Sequence, residues 1–173
     1  MIDVKQILFP TDFSECATHS KQTAQELCDR FGADLHVLHV IHDIALEVPE
    51  FGMGLSFPGF VENIGARRSQ MKNDALKSLD TEISQPWREK HAVTMSTRFG
   101  KPFLEIVRYA RENHIDLIVI GSHGRTGLSH MLLGSVAEGV VREAPCPVMT
   151  VRQPAKESEQ EHFPPGVHPL PVG

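Results

Sequence analysis

The chain has 173 residues and a net charge of −5, enough for one domain with a sizeable core. The mild acidity argues against a nucleic-acid binder, which carries a basic stripe. No run approaches ~20 apolar residues, so no membrane span is expected.

The first predicted element is a buried strand over 4–10, VKQILFP, a short apolar run ended by proline. Ser14 then caps a helix whose inner face carries Ala17, Ala24, Leu27 and Cys28, and Gly32 ends it. ADLHVLHVI (33–41) is β-branched and apolar, a second buried strand. HDIALEVPEFGMGLSFPGF (42–60) is rich in Gly, Pro and Phe and has no clear period; it reads as a long loop with at most one short helical turn. From Val61 to about Lys90 the pattern is helical, with Met71, Ala75, Leu76, Leu79 and Ile83 on one stripe and Pro86 breaking or ending the helix.

AVTMSTRFG (92–100) alternates Val93, Met95 and Thr97 as a third strand. KPFLEIVRYARENH (101–114) is an amphipathic helix with Pro102 in its first turn. IDLIVIG (115–121) is the fourth strand, MLLGSVAEGVVREA (131–144) a further helix and CPVMTVR (146–152) a short fifth strand. From Gln153 the composition turns charged and then Pro-rich, so residues 153–173 are expected to be a disordered tail after a single domain over 1–152.

Strands alternating with helices predict an α/β fold: a single-domain, doubly wound, five-stranded parallel sheet covered on both faces. Ligands of such sheets sit at the carboxyl ends of the strands. FPTD, HVIHD and GSHGRTG all fall there. The start MIDVKQILFPTD does not read as a secretory leader. Cys16, Cys28 and Cys146 form no CxxC pair and no zinc spacing. They read as buried or half-buried free thiols in a reducing cytosol, so a cytoplasmic location is expected.

GSHGRTGLSHMLLGS (121–135) joins the fourth strand to the following helix. Glycines let backbone N–H groups approach a phosphate, and the helix N-terminus adds partial positive charge. One glycine would signify only a tight turn; Gly121, Gly124, Gly127 and Gly134 with Ser135 favour a phosphate cradle. His123 and Arg125 either help to neutralise charge or are solvated. Asp12 suits a ribose hydroxyl or an adenine amine, its alternative being a helix cap that Ser14 can supply instead. Pro10 and Thr11 shape the turn. His36, His39 and His42 on one strand cannot easily share an ion, because His39 points to the opposite face. They read as structural or surface residues, and no metal site made of side chains is expected. There is no G-x-S-x-G, H-E-x-x-H or G-x-x-x-x-G-K-[ST], and no carboxylate pair with a base. A catalytic set is therefore not expected.

The spacing G-x2-G-x9-G-[ST], on Gly121, Gly124, Gly134 and Ser135, resembles the ATP-binding signature of the universal stress protein family. ILFPTDFSE, HVLHVI and IDLIVIGSHGRTGL…LLGSVAEGVVREAPCPVMTVR resemble that family too, over roughly residues 3–152. The resemblance implies a flavodoxin-like or adenine-nucleotide-hydrolase-like fold. It implies ATP, with Mg or Mn at the phosphates, and at most slow hydrolysis. Asp12 and Val40 would contact the adenosine part, and Ile120 the base. Gly121, Gly124, Gly134, Ser135 and Val136 would hold ribose and phosphates. Pro10, Thr11, Ser122 and Arg125 complete the expected nucleotide-binding set. The resemblance also implies a stress-response homodimer formed through the last strand, Val148–Val151. The alternative is a non-catalytic interaction module whose dimer surface and loop 44–60 act without nucleotide. The 44–60 loop and the tail depart from the family pattern.

Overall fold

Ile7, Leu8 and Phe9 are all fully buried, although neighbours on a strand point to opposite faces. A strand buried on both faces belongs to a sheet covered on both sides. The computed structural model describes residues 3–42, 58–122 and 133–152, with side chains from residue 65 onward in the middle stretch. The elements in order are β1 (Gln6–Pro10), α1 (Glu15–Phe31), β2 (Asp34–Ile41), α2 (Pro58–Glu82), α3 (Gln85–Arg88), β3 (Val93–Phe99), α4 (Pro102–Glu112), β4 (Leu117–Gly121), α5 (Ser135–Glu143) and β5 (Val148–Val151). Every strand pair is parallel and the order is β3-β2-β1-β4-β5. The doubly wound α/β expectation holds. The order is the Rossmann type; a flavodoxin order would place β1 between β2 and β3.

Two apolar layers sandwich the sheet. On one face Ile7, Phe9, Leu35, Val37 and Val119 pack with Ala17, Ala24 and Cys28 of α1 and with Leu79 and Ile83 of α2. On the other Leu8, Leu38, Ile118 and Ile120 pack with Ile106, Tyr109 and Ala110 of α4 and Ala137 and Val140 of α5. Helix α1 begins and ends as its sequence requires. Ser14 accepts a hydrogen bond from the Ala17 amide, and Gly32 adopts the left-handed backbone (φ 65°) with its amide on the Cys28 carbonyl.

Several sequence expectations shift. α2 begins at Pro58, within the stretch read as loop, and ends at Glu82; Pro86 sits in the first turn of the separate α3. Ala75, Leu79 and Ile83 face the core, but Leu76 is 40 % exposed, because one residue along a helix turns roughly 100° away from Ala75. α5 begins at Ser135, not at 131: Gly134 is extended (φ −73°, ψ 153°), and Leu133 packs on the core ahead of the helix. The tail from 153 and most of the 42–60 stretch lie outside the described residues.

β1 leads through β2 to β3 on one side; the chain then crosses to β4 and β5 on the other. The topological switch therefore falls between β1 and β4. A crevice at such a switch, beyond the carboxyl ends of the strands, is where these sheets hold ligands.

Candidate functional site at the β1–β4 switch

β1 leaves the sheet at Pro10, which pairs with Leu38 of β2. The Thr11 amide still donates to the Leu38 carbonyl at 2.9 Å. The chain then turns within three residues. Thr11 Oγ1 accepts from the Phe13 amide at 3.0 Å, and Asp12 Oδ1 accepts from the Ser14 amide at 3.0 Å. Such side-chain bonds replace backbone ones in tight turns. Phe13 is left-handed, at φ 64°. The choice left open for Asp12 resolves in part: Ser14 caps α1, and Asp12 shapes the turn that leads into it.

β2 runs past the end of β1. Val40, two residues beyond the Pro10–Leu38 pair, is buried on the α4–α5 side, in the same apolar cluster as Ile120 of β4. β1 and β4 pair Leu8 with Ile118, and the same register brings Ile120 level with Pro10. Val40 and Ile120 thus flank β1 from its two neighbouring strands, on one face of the sheet. They offer the apolar wall a planar ring needs.

β4 ends at Gly121. Ser122 is buried; its amide donates to the Val151 carbonyl at 2.8 Å, and its carbonyl accepts from the Gly134 amide at 2.7 Å. The chain therefore leaves at Ser122 and returns at Gly134 beside it. Gly134 is the N-cap of α5 and has no side chain to satisfy the helix. The Glu138 amide is the one that reaches back to the Gly134 carbonyl, so the amides of Ser135, Val136 and Ala137 lie in the first turn, where no intrahelical acceptor exists. With the helix dipole, such an end suits an anion. Ser135 is exposed there, while Val136 is half-buried.

The structure thus brings Pro10, Thr11, Asp12, Val40, Ile120, Gly121, Ser122, Gly134, Ser135 and Val136 to one edge of the sheet. Gly124 and Arg125 lie outside the described residues, as does His123. His36 belongs to the other end of β2, with Nδ1 2.8 Å from the Tyr109 hydroxyl and Nε2 2.7 Å from Gln6 Oε1. Burial pushes its pKa down. Among the described residues no group of three or more His, Cys, Asp or Glu could hold a metal. Also among them, no helix is long and apolar enough to cross a membrane. The reading of the sequence missed two members of the site: the left-handed Phe13, and His39, whose Nδ1 contacts the Thr11 carbonyl at 2.8 Å.

The fold and this edge define a doubly wound α/β protein whose strand ends meet at a switch point, the place where such sheets hold ligands. The sequence model of the Universal stress protein family matches residues 3–152, and the chain belongs to that family. It is 35 % identical over 153 residues to the Universal stress protein MJ0531 of Methanocaldococcus jannaschii, covering 88 % of this chain and 85 % of that one. The solved structure of protein MJ0577 of the same organism superposes with a TM-score of 0.76 at 26 % identity, covering 90 % of this chain and all of that one. A universal stress protein of Archaeoglobus fulgidus, solved in complex with dAMP, shares the fold at a TM-score of 0.53 and 23 % identity, with 87 % of this chain and 99 % of that one covered.

Proposed function

We propose that this chain binds an adenine nucleotide, ATP, at the β1–β4 switch and acts in the stress response as a nucleotide-dependent regulatory or protective dimer in the cytoplasm. The observation that carries the reading is the pairing of two features at one edge of the sheet. The open first turn of α5 suits phosphates, and the Asp12 carboxylate, placed between the Val40 and Ile120 strands, suits ribose or adenine. A protein of the same fold takes dAMP. Mg or Mn fits this donor set as a phosphate-held ion, because Mg keeps several waters and needs only one or two protein ligands. Asp12 and the Ser135 hydroxyl are the candidates. Among the described residues no nucleophile–base pair stands at the edge, and binding with at most slow hydrolysis is the activity proposed.

The homodimer would form through β5. It is an edge strand with one neighbour, β4, and its Met149 is 39 % exposed. The exposed apolar side chains Leu104, Val141 and Met149 also support the second reading, an interaction module that works without nucleotide.

The test is an ATP titration, with Mg, of the full chain and of Gly121→Val, alongside mass spectrometry of what the freshly purified protein releases on denaturation. Binding by the wild type that Gly121→Val loses is expected. Equal affinity of the two, or no binding by either, would favour the interaction module.

A further inference from the structure

His39 precedes Val40 on β2 and points to the opposite face, the side of Val37 and Ile41. Its Nδ1 lies 2.8 Å from the Thr11 carbonyl oxygen. A carbonyl only accepts, so Nδ1 carries a proton and donates it. The same ring packs on Phe13, with centroids 4.5 Å apart and planes tilted by 33°. His39 therefore grips the chain on both sides of Asp12. Leu38, its neighbour, receives the Thr11 amide, so two successive residues of β2 hold both backbone polar groups of Thr11.

Phe13 needs that support. Its φ of 64° is a conformation that a bulky residue keeps only when its surroundings over-determine it. The hydrogen bonds of Thr11 Oγ1 and Asp12 Oδ1 are internal to the turn and would travel with it. The contacts from Leu38 and His39 anchor the turn to the sheet. An apolar side chain would serve the sheet equally at position 39, as Val37 and Ile41 do on the same face; an imidazole adds a donor aimed at the turn.

We propose that His39 is a positioning residue of the nucleotide site, holding the Thr11–Phe13 turn, and Asp12 within it, in place at the carboxyl end of β1. This rests on the nucleotide reading above. The donor and the ring face make separable contributions. His39→Phe keeps a ring against Phe13 and loses the donor. His39→Asn loses the ring and keeps an amide N–H near the place of Nδ1.

The test uses the full chain with ATP and Mg as the probe, and reads affinity, thermal midpoint and amide hydrogen exchange at Phe13 and Ser14. His39→Phe is expected to fold, to exchange faster at those two amides and to bind ATP about three- to tenfold more weakly, the worth of one hydrogen bond. His39→Asn is expected to recover most of that affinity. Wild-type affinity and exchange in His39→Phe would overturn the proposal, as would an Asn variant no better than the Phe variant. A wild-type chain that binds no ATP would overturn both the site reading and this role, even with the turn loosened in His39→Phe. Binding by the wild type with no effect of His39→Phe removes this role alone.

Discussion

The Gly134 amide donates to the Ser122 carbonyl at 2.7 Å, and the Ser122 amide donates to the Val151 carbonyl at 2.8 Å. One residue thereby ties the start of α5 to the ends of β4 and β5, and the position of the α5 N-terminus is fixed by the sheet. Gly134 itself is extended, with φ −73° and ψ 153°, a conformation open to any residue. Serine is a better N-cap than glycine. The φ and ψ therefore give no reason for glycine here, whereas the phosphate proposed above would, by approaching the backbone closely. Gly134→Ser is expected to keep or slightly raise the thermal midpoint while weakening ATP binding about tenfold, the cost of roughly one crowded contact. Unchanged affinity in a titration would show that the N-cap does not meet the ligand.

Gly139, in the same helix, is small for a different reason. A Cβ there would lie 2.8 Å from Cγ and 3.0 Å from Cβ of Phe103 in α4. These are atoms at the root of the ring, which cannot swing away. Gly139→Ala is expected to destabilise the fold by about 1–3 kcal/mol through overpacking, outweighing the ~1 kcal/mol by which alanine favours a helix. Chemical denaturation measures it. Adding Phe103→Leu should recover part of the loss, since the two sites share one contact.

The contrast between these two glycines shows what the sequence discloses. Buried strands, the Ser14 and Gly32 caps and the alternation of elements are local signals, and they fixed the sheet and its ligand edge on paper. Asp12 and Gly121 could be placed because strand ends converge at a switch point; Val40 and Ile120 came from the resemblance to the universal stress protein family. Leu76 went wrong because a helical period gives a stripe but not its flank. Leu133 extended the apolar pattern of α5, yet it packs on the core before the helix starts. The Phe13 backbone and the His39 bond to Thr11 have no local signature: they join residues 28 or so positions apart and exist only once β1 and β2 are paired. Gly124 and Arg125 stay expectations of the sequence.

Two of the three thiols, Cys28 and Cys146, are expected to be unreactive. Cys28 is fully buried, and desolvation, with the Asp29 and Asp34 charges adding, pushes its pKa up to about 12 from 9.0. Desolvation, then Asp116, pushes Cys146 up to about 11. Only the thiolate attacks a labelling reagent. At about pH 8 the native protein should therefore label far more slowly at Cys28 than the denatured chain. Because the folded state holds the proton and the unfolded state releases it near 9.0, this stabilisation is present below pH 9 and is lost as pH rises toward about 12. Denaturation midpoints should fall across that window, and less steeply in Cys28→Ala. Equal slopes would remove the thiol as the cause.

His36 produces the opposite dependence at acid pH. Gln6 Oε1 only accepts, so Nε2, at 2.7 Å, carries the ring proton. Nδ1 then accepts from the Tyr109 hydroxyl at 2.8 Å, which in turn lies 3.3 Å from Ser96 Oγ. Gln6 Nε2 donates to Asp34 Oδ2 at 3.1 Å. The neutral ring satisfies every member of this chain of donors from β3 and α4 through β2 to β1. A second proton would face Tyr109 with a donor and force its hydroxyl to turn. Burial lowers the His36 pKa below the ordinary 6.5, against the smaller opposing pull of Asp34. The folded state therefore resists protonation while the unfolded chain accepts it. The resulting stability is present above pH 6.5 and is lost as pH falls from 6.5 through the lowered folded value. Denaturation midpoints of the wild type should drop between about pH 7 and 5 more steeply than those of His36→Gln, which keeps a donor and an acceptor but cannot titrate. Other groups also titrate in that range, so the difference between the two slopes is the readout. Parallel slopes would mean that the His36 chain tolerates the charge.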